Sequence, residues 1–153
     1  MKAKFAYRSR SEKETMEFAK RLAEEVSPGD VICLVGELGS GKTVFAKGFA
    51  AGLGIACDIT SPTFVLINEY PAEAPGQKTA LYHFDAYRLE YESAAEALFE
   101  AGAEGYFYGD GVGPGVCLIE WADLVKPIIP DNARWFTITV DERGDRFITE
   151  ARQ

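Results

Sequence analysis

The chain has 153 residues, of which 47% are hydrophobic, and it carries a formal net charge of −8. A chain of this length can bury a core large enough to fold without disulfides or a structural metal, and its apolar content argues against intrinsic disorder. Because an acidic surface without a run of Lys or Arg repels phosphate backbones, we expect no direct binding to RNA or DNA. We therefore predict one globular domain over residues 1–153, which would act on nucleic acid only through a partner.

The N-terminal segment and the cysteines indicate where the chain works. Residues 1–10 lack the apolar stretch of a signal peptide, and no apolar run reaches the length of a membrane span. The three cysteines, Cys33, Cys57 and Cys117, lie far apart without the CxxC spacing of a metal or redox site. We therefore predict a cytoplasmic protein in which Cys33 and Cys117 serve as small hydrophobic side chains.

The first elements predicted in chain order are a strand, a helix and a second strand. Residues 4–8 alternate between apolar and polar side chains, which is the pattern of a half-buried strand. A helix follows over residues 11–26, with an apolar face that includes Met16. Residues 31–35 form a continuous apolar run and predict a central strand that is buried on both faces.

A glycine-rich loop follows the second strand and leads into a second helix. Apolar side chains recur every four residues from Phe45 to Leu53, which predicts a helix that ends near Gly52 or Gly54. Gly48 lies inside this helix, where glycine costs about 1 kcal/mol relative to alanine. We therefore expect a close neighbour that needs the space at Gly48.

The rest of the chain predicts three further strands, one helix and a C-terminal hairpin. They are strands over residues 63–70, 79–85 and 116–121, a helix over residues 93–103 that stops near Gly102, and a hairpin over residues 134–152. Strands that alternate with helices and precede an antiparallel tail predict an α/β protein with a mixed, mainly parallel sheet.

The glycine-rich loop has the sequence GELGSGKT, residues 36–43, and fits the pattern GxxxxGK[ST]. Its three glycines let the backbone curl so that successive N–H groups point at a phosphate, and the following helix adds its positive N-terminal end. In this motif Lys42 reaches the β- and γ-phosphates and the Thr43 hydroxyl ligates Mg²⁺. A structural glycine turn is the weaker interpretation, because a buried strand precedes the loop and an amphipathic helix follows it. We therefore predict a three-layer P-loop fold that binds a nucleoside triphosphate with Mg²⁺.

Two acidic residues end apolar runs in the way that a hydrolytic P-loop site requires. Asp85 ends the run LYHFD, and Glu120 ends the run VCLIE. Because the C-terminal ends of neighbouring strands form the ligand crevice, we expect both carboxylates near the metal. One would bind Mg²⁺ directly or through water and the other could orient the attacking water, but position alone does not say which. Either could also be an ordinary acid at a strand end.

Three further features have two interpretations each. His83, the only histidine, lies on the same strand face as the first of these acids and is either a site residue or a strand residue with satisfied hydrogen bonds. Ser61 and Thr63, in the sequence SPTF, form either a switch segment that senses the γ-phosphate or a Ser-Pro turn. Trp121 would face away from the preceding acid if the strand continues, so a core or rim position is its default.

The segments GELGSGKT, SPTF, LYHFDAYRL and IEWAD, in this order, resemble the TsaE (YjeE) family of small bacterial P-loop ATPases. The resemblance covers nearly the whole chain, and the HFDAYRL and IEW segments make it specific. It implies that the chain acts in tRNA threonylcarbamoyladenosine modification with the transferase subunit TsaD and its companion TsaB. The chain would not transfer the threonylcarbamoyl group itself, and its ATP hydrolysis would reset the complex between turnovers.

The resemblance also implies which residues bind the phosphates and the metal. Those that would wrap the phosphates are Leu38, Gly39, Ser40, Gly41, Lys42 and Thr43. Thr43 and Glu120 would hold Mg²⁺, and Asp85 would be essential for hydrolysis.

Further positions take less central roles in the same resemblance. Ser61 and Thr63 would belong to the switch-like segment, and Thr63 would be catalytic together with Asp85 and Lys42. Trp121 would lie by the site. Glu12 at the start of the first helix and Gly144 at the hairpin turn would border the adenine.

A small-molecule kinase is the alternative, since P-loops of this size also serve nucleotide and shikimate-type kinases. Such enzymes usually close an arginine-bearing lid over the phosphates to exclude water. Of the eight arginines, only Arg88 lies between the P-loop and Glu120, and no arginine-rich lid segment is present.

A third interpretation is a nucleotide-dependent scaffold with negligible hydrolysis. Because no arginine finger is evident in the sequence, we expect slow hydrolysis alone and acceleration by a partner.

Overall fold

A computed structural model of the chain describes residues 2–56, 58, 59, 67–73, 75–87, 94–109 and 113–152. Its strands are β1 (Lys2–Ser9), β2 (Val31–Val35), β3 (Ile67–Tyr70), β4 (Ala80–Asp85), β5 (Gly115–Glu120), β6 (Arg134–Val140) and β7 (Arg146–Arg152). Its helices are α1 (Glu12–Glu25), α2 (Lys42–Gly52), α3 (Ala94–Glu100), α4 (Ala103–Tyr108) and a 3₁₀ segment (Ala122–Ile128). In this part of the chain, no helix has the length and apolar character needed to span a membrane.

The seven strands form one mixed sheet in the order β1-β7-β6-β2-β5-β4-β3. The central strands β6, β2, β5 and β4 are parallel to one another. The pairs β1 with β7, β6 with β7, and β3 with β4 are antiparallel. The predicted α/β fold, with a mixed sheet and a C-terminal antiparallel hairpin, is confirmed. Because β2, β5 and β4 are parallel neighbours, the residues that follow them meet at one edge of the sheet.

Helices cover both faces of the sheet, which gives the predicted three layers. On one face, α1 and α2 pack against alternate residues of the central strands, including Leu34 and Leu118. On the other face, α3, α4 and the 3₁₀ segment pack against Cys33 and Ile119. The central strands are therefore buried on both sides, which explains the uninterrupted apolar run of β2.

Two glycines let α1 and α2 approach each other closely. A Cβ atom on Gly48 would lie 2.6 Å from the Cα atom of Met16, and a Cβ atom on Gly52 would lie 3.0 Å from the Cα atom of Lys20. The close neighbour expected at Gly48 is therefore the backbone of α1. Met16, which the sequence pattern places on the apolar face of this helix, is 36% exposed, and its backbone makes the contact with Gly48.

Some predicted elements have different bounds in the structure. The helix predicted over residues 93–103 ends at Glu100, and Gly102, with a φ of 87°, starts the separate helix α4. Helix α4 and the 3₁₀ segment are not predicted by the sequence patterns. The strand predicted over residues 63–70 is present over Ile67–Tyr70, and its first four residues lie outside the described residues.

Candidate nucleotide site

The P-loop connects β2 to α2 and has the curled backbone that its glycines predict. Gly39 and Gly41 adopt φ angles of 80° and 105°, in a region that costs little only for glycine. Gly36 serves a different purpose, because a Cβ atom there would lie 2.6 Å from Ser40 Oγ. In this loop Gly39 and Gly41 allow the positive φ angles, and Gly36 leaves the space that the Ser40 side chain needs.

The Lys42 side chain lies against its own loop and is 5% exposed. Its Nζ donates to the carbonyl oxygens of Gly36 at 2.5 Å and Glu37 at 2.8 Å. It also stands 4.0 Å from the ring centre of Trp121, at the distance of a cation–π contact. Carbonyl oxygens and an aromatic face thus hold the ammonium against the P-loop.

The two acids predicted near the metal lie side by side. Asp85 and Glu120 end the neighbouring parallel strands β4 and β5 and are register partners. Together with Lys42 and Thr43 they line a cavity of about 420 Å³ next to the P-loop. The structure thus brings these four residues together at the C-terminal edge of the sheet, where open α/β sheets bind ligands.

The electrostatics of Lys42 depend on these two acids. Burial lowers the pKa of the Lys42 ammonium from its ordinary value, and the carboxylates of Glu120 and Asp85 oppose that shift. A cation that has lost part of its water interacts more strongly with an approaching anion than an exposed one does. The cavity therefore combines a partly desolvated cation with two carboxylates.

His83 and Glu120 form a buried pair next to the cavity. His83 Nε2 lies 2.6 Å from Glu120 Oε2, and the two side chains are 1% and 3% exposed. Because an ionised carboxylate only accepts hydrogen bonds, Nε2 carries the hydrogen and donates it. Nδ1 has no hydrogen-bond partner among the described residues. His83 therefore orients the Glu120 carboxylate.

Trp121 lies at the rim of the site because β5 stops at Glu120. Its φ of 59° is the only positive φ at a non-glycine residue in the part of the chain that the structure describes. This turn interrupts the strand alternation that would direct the side chain away from Glu120. The indole instead packs on Tyr87, with ring centroids 4.7 Å apart, and reaches Lys42 Nζ. Trp121 is a rim residue, as predicted by default, but the backbone turn directs it towards the P-loop.

The remaining candidate residues are distributed around the cavity. Glu12 and Leu38 line it. Gly144, at the hairpin turn with a φ of 85°, does not line it, although its carbonyl oxygen accepts a hydrogen bond from a residue that does. Ser61 and Thr63 lie outside the described residues, so their roles stay predictions.

Arg146 is a cavity residue that the sequence analysis missed. It begins β7, lines the same cavity as Lys42, and donates to the P-loop carbonyl oxygens of Ser40 at 3.2 Å and Gly39 at 3.4 Å. No local pattern marks this arginine, because it contacts a residue 106 positions earlier through the pairing of the hairpin with the sheet. Only the tertiary structure reveals the contact.

A larger cleft of about 670 Å³ lies along the P-loop and the C-terminal half of β6. Leu38, Trp121, Asp123 and Val140 are among its lining residues. Its lining includes no residue of the set Lys42, Thr43, Asp85 and Glu120. The smaller cavity therefore has the chemistry for a metal-bound triphosphate despite its size.

The donor set suits Mg²⁺ held jointly with phosphate. Among the described residues, no group of three or more His, Cys, Asp or Glu side chains is arranged to hold a metal ion. Mg²⁺ in nucleotide sites is typically bound by one or two carboxylates, with phosphate and water oxygens as the other ligands. The Thr43 hydroxyl and the carboxylates of Asp85 and Glu120, which line one cavity, are oxygen ligands of this kind.

Known proteins that are similar to this chain match most of its length. A protein from Bacillus subtilis named tRNA threonylcarbamoyladenosine biosynthesis protein TsaE is 42% identical over 139 residues, which cover 91% of this chain and 78% of the relative. A protein of the same name from Treponema pallidum is 38% identical over 143 residues, which cover 94% of this chain and 97% of the relative. The crystal structure of Bacillus subtilis YdiB matches with a TM-score of 0.75 and 35% identity, covering 100% of this chain and 89% of that one.

The family comparison extends over the site and the sheet. The sequence model of the family described as threonylcarbamoyl adenosine biosynthesis protein TsaE matches residues 9–148. This range contains the P-loop, both strand-end acids and Arg146. The family match, the two relatives and the matching fold agree with the resemblance in the sequence, and the chain belongs to the TsaE family.

Proposed function

We propose that the chain binds ATP with Mg²⁺ and hydrolyses it as the ATPase component of the machinery that installs the threonylcarbamoyl group on tRNA adenosine. The observation that carries this proposal is that Lys42, Thr43, Asp85 and Glu120 line one cavity next to a curled P-loop. The names of the family and of its relatives support the assignment to tRNA modification. Hydrolysis would reset the transferase complex between turnovers.

The P-loop would bind the triphosphate through its backbone N–H groups and the N-terminus of α2. Lys42 would exchange its hydrogen bonds to the Gly36 and Glu37 carbonyls for charge-assisted bonds to β- and γ-phosphate oxygens. Thr43 and Glu120 would hold Mg²⁺, which when bound neutralises part of the phosphate charge. The ordered carboxylate of Glu120, fixed by His83, favours this role.

Asp85 would act on the attacking water. In hydrolysis the water oxygen bonds to the γ-phosphorus while the bond from that phosphorus to the β–γ bridging oxygen breaks, giving ADP and inorganic phosphate. Asp85 would orient this water and accept its proton. The Tyr87 backbone N–H donates to Asp85 Oδ1 at 2.9 Å, which holds the carboxylate in one orientation. Thr63 would contribute from the segment that senses the γ-phosphate.

TsaD and TsaB are the partners we propose, and tRNA would be reached only through them. A net charge of −8 without a run of basic residues offers few phosphate contacts. A partner would accelerate hydrolysis either by supplying a cation to the transferring phosphoryl group or by ordering residues 61–64. A small-molecule kinase would instead require an acceptor other than water.

Calorimetry with ATP·Mg²⁺ tests the nucleotide part of the proposal. Lys42→Ala removes a cation from the phosphates, and losing a hydrogen bond between charged groups costs about 1.5–3 kcal/mol, so affinity should fall at least about tenfold. Lys47→Ala is the matched control, because Lys47 is an exposed lysine on the same helix. It should keep the affinity of the wild type. Equal affinity in the wild type and Lys42→Ala would contradict the proposal.

A further inference from the structure

Arg146 connects the C-terminal hairpin to the P-loop. Its Nε donates to the Ser40 carbonyl oxygen at 3.2 Å, and one terminal nitrogen donates to the Gly39 carbonyl oxygen at 3.4 Å. The other terminal nitrogen donates to the Gly144 carbonyl oxygen at 2.9 Å. The guanidinium thus spans from its own hairpin turn to two successive peptides of the loop.

The hairpin turn that carries Arg146 is itself held firmly. The Asp141 carboxylate accepts from the backbone N–H groups of Arg143 and Asp145 at 3.0 and 2.9 Å. Arg8 on β1 donates to Asp145 Oδ2 from two nitrogens at 2.9 and 2.6 Å. These hydrogen bonds hold the hairpin turn in place, and the turn therefore fixes the backbone from which the Arg146 side chain reaches the P-loop.

The contacts of Arg146 determine the direction of the loop's N–H groups. No cis peptide occurs among the described residues, and in a trans peptide the C=O and N–H groups point in opposite directions. A guanidinium bound to the Ser40 carbonyl therefore directs the Gly41 N–H away from itself. That N–H has no hydrogen-bond partner among the described residues, whereas the Ser40 N–H donates to the Glu37 carbonyl at 3.0 Å. The Gly41 N–H is thus left as a donor for a ligand.

We propose that Arg146 is a positioning residue for the nucleotide. Arg146 would hold the peptides of Gly39 and Ser40, so that the phosphate-binding backbone of the P-loop (the phosphate cradle) is already formed before the nucleotide binds. This inference rests on the proposed binding of ATP. Glycines with φ angles of 80° and 105° have many alternative conformations, so a loop built on them gains most from an external constraint. Arg146 supplies that constraint from outside the loop, and no contact with the γ-phosphate is required.

The inference predicts a specific pattern of nucleotide affinities. In Arg146→Met the full chain should bind ATP·Mg²⁺ and ADP·Mg²⁺ more weakly by the same factor, about tenfold, because the cradle serves phosphates that both nucleotides carry. Arg146→Lys should recover part of the affinity, since an ammonium can donate to one of the two carbonyls. Arg143→Met removes an exposed arginine from the same turn and should bind both nucleotides like the wild type.

Calorimetry of the wild type and these three variants with both nucleotides is the test, with urea unfolding to confirm that each variant is folded. Unchanged affinities in Arg146→Met would overturn the inference, as would an equal loss in Arg143→Met. A loss confined to ATP would also overturn it, because it would indicate a direct contact with the γ-phosphate. A wild type that binds neither nucleotide would refute the proposed function itself, which distinguishes the two failures.

Discussion

Two buried glutamates in one row of the sheet have different partners. The row of register partners passes from Asp85 and Glu120 through Leu34 and Phe136 to Glu150. Glu120 and Glu150 are 2% and 3% exposed. Arg134 donates to both carboxylate oxygens of Glu150, at 2.7 and 3.0 Å, whereas Glu120 pairs with the imidazole ring of His83. The two glutamates are about equally buried, but one is paired with a guanidinium and the other with an imidazole.

The difference indicates which glutamate serves the fold and which serves a ligand. A carboxylate in a two-bond pair with a guanidinium has its charge balanced within the protein. Glu120 instead pairs with the imidazole of His83 and lines the cavity that we propose for the nucleotide and its metal. We therefore assign Glu150 to stability and Glu120 to the proposed metal. Substitutions at the two ends of the row should change different quantities.

Substitution of Asp85, at one end of this row, is expected to have the largest effect, a loss of ATP turnover. Asp85→Asn keeps an oxygen for the Tyr87 N–H but cannot accept a proton, so phosphate release should fall about a hundredfold or more, while ATP affinity is spared. Phosphate release with the TsaB–TsaD pair present, together with calorimetry, provides the measurement. The wild type assayed with and without the pair is the control. Hydrolysis by Asp85→Asn at the wild-type rate would show that the catalytic role is wrong.

A smaller effect, on stability alone, is expected at the Glu150 end. Arg134→Met leaves the Glu150 carboxylate buried without its cation and should reduce the free energy of unfolding by about 2–3 kcal/mol in urea titration. The hydrogen bond with Glu150 raises the pKa of Arg134. A raised pKa stabilises the fold at every pH below its unfolded-state value, so the arginine's contribution should not change between about pH 6 and 9.

The double variant Arg134→Met with Glu150→Leu is the matched control for this effect. Replacing both members of a buried ion pair by apolar side chains is often close to neutral, so it should recover most of the lost stability. ATP affinity should match the wild type in both variants. A fall in ATP affinity in Arg134→Met, with stability unchanged, would reverse the assignment of the two glutamates.

The sequence predicted the parts of the fold and the site that depend on local patterns. The P-loop, the buried strand before it and the positions of Asp85 and Glu120 follow from periodicity and from the chemistry of the motif. The helical spacing placed Met16 on the apolar face of α1, but Met16 is 36% exposed and its contact with Gly48 is made by backbone atoms. Helical periodicity alone does not contain that information.

Long-range pairing explains the residues that the sequence analysis did not find. Arg146 and Arg134 lie in a hairpin whose contacts depend on which strands it joins, and neither arginine has a local signature. The partner of His83 likewise depends on the parallel pairing of β4 with β5. Glu120 ends an apolar strand and Glu150 lies in the more polar strand β7, but their different roles become visible only through their partners.

The Mg²⁺ dependence of ATP affinity tests the contrast between Glu120 and Glu150 most directly. Calorimetry would compare ATP binding with Mg²⁺ and with EDTA in the wild type, Glu120→Gln and Glu150→Gln. The account predicts that the wild type and Glu150→Gln gain affinity from Mg²⁺, and that Glu120→Gln loses most of that gain while keeping its affinity in EDTA. An equal gain from Mg²⁺ in Glu120→Gln and the wild type would contradict the assignment of Glu120 to the metal.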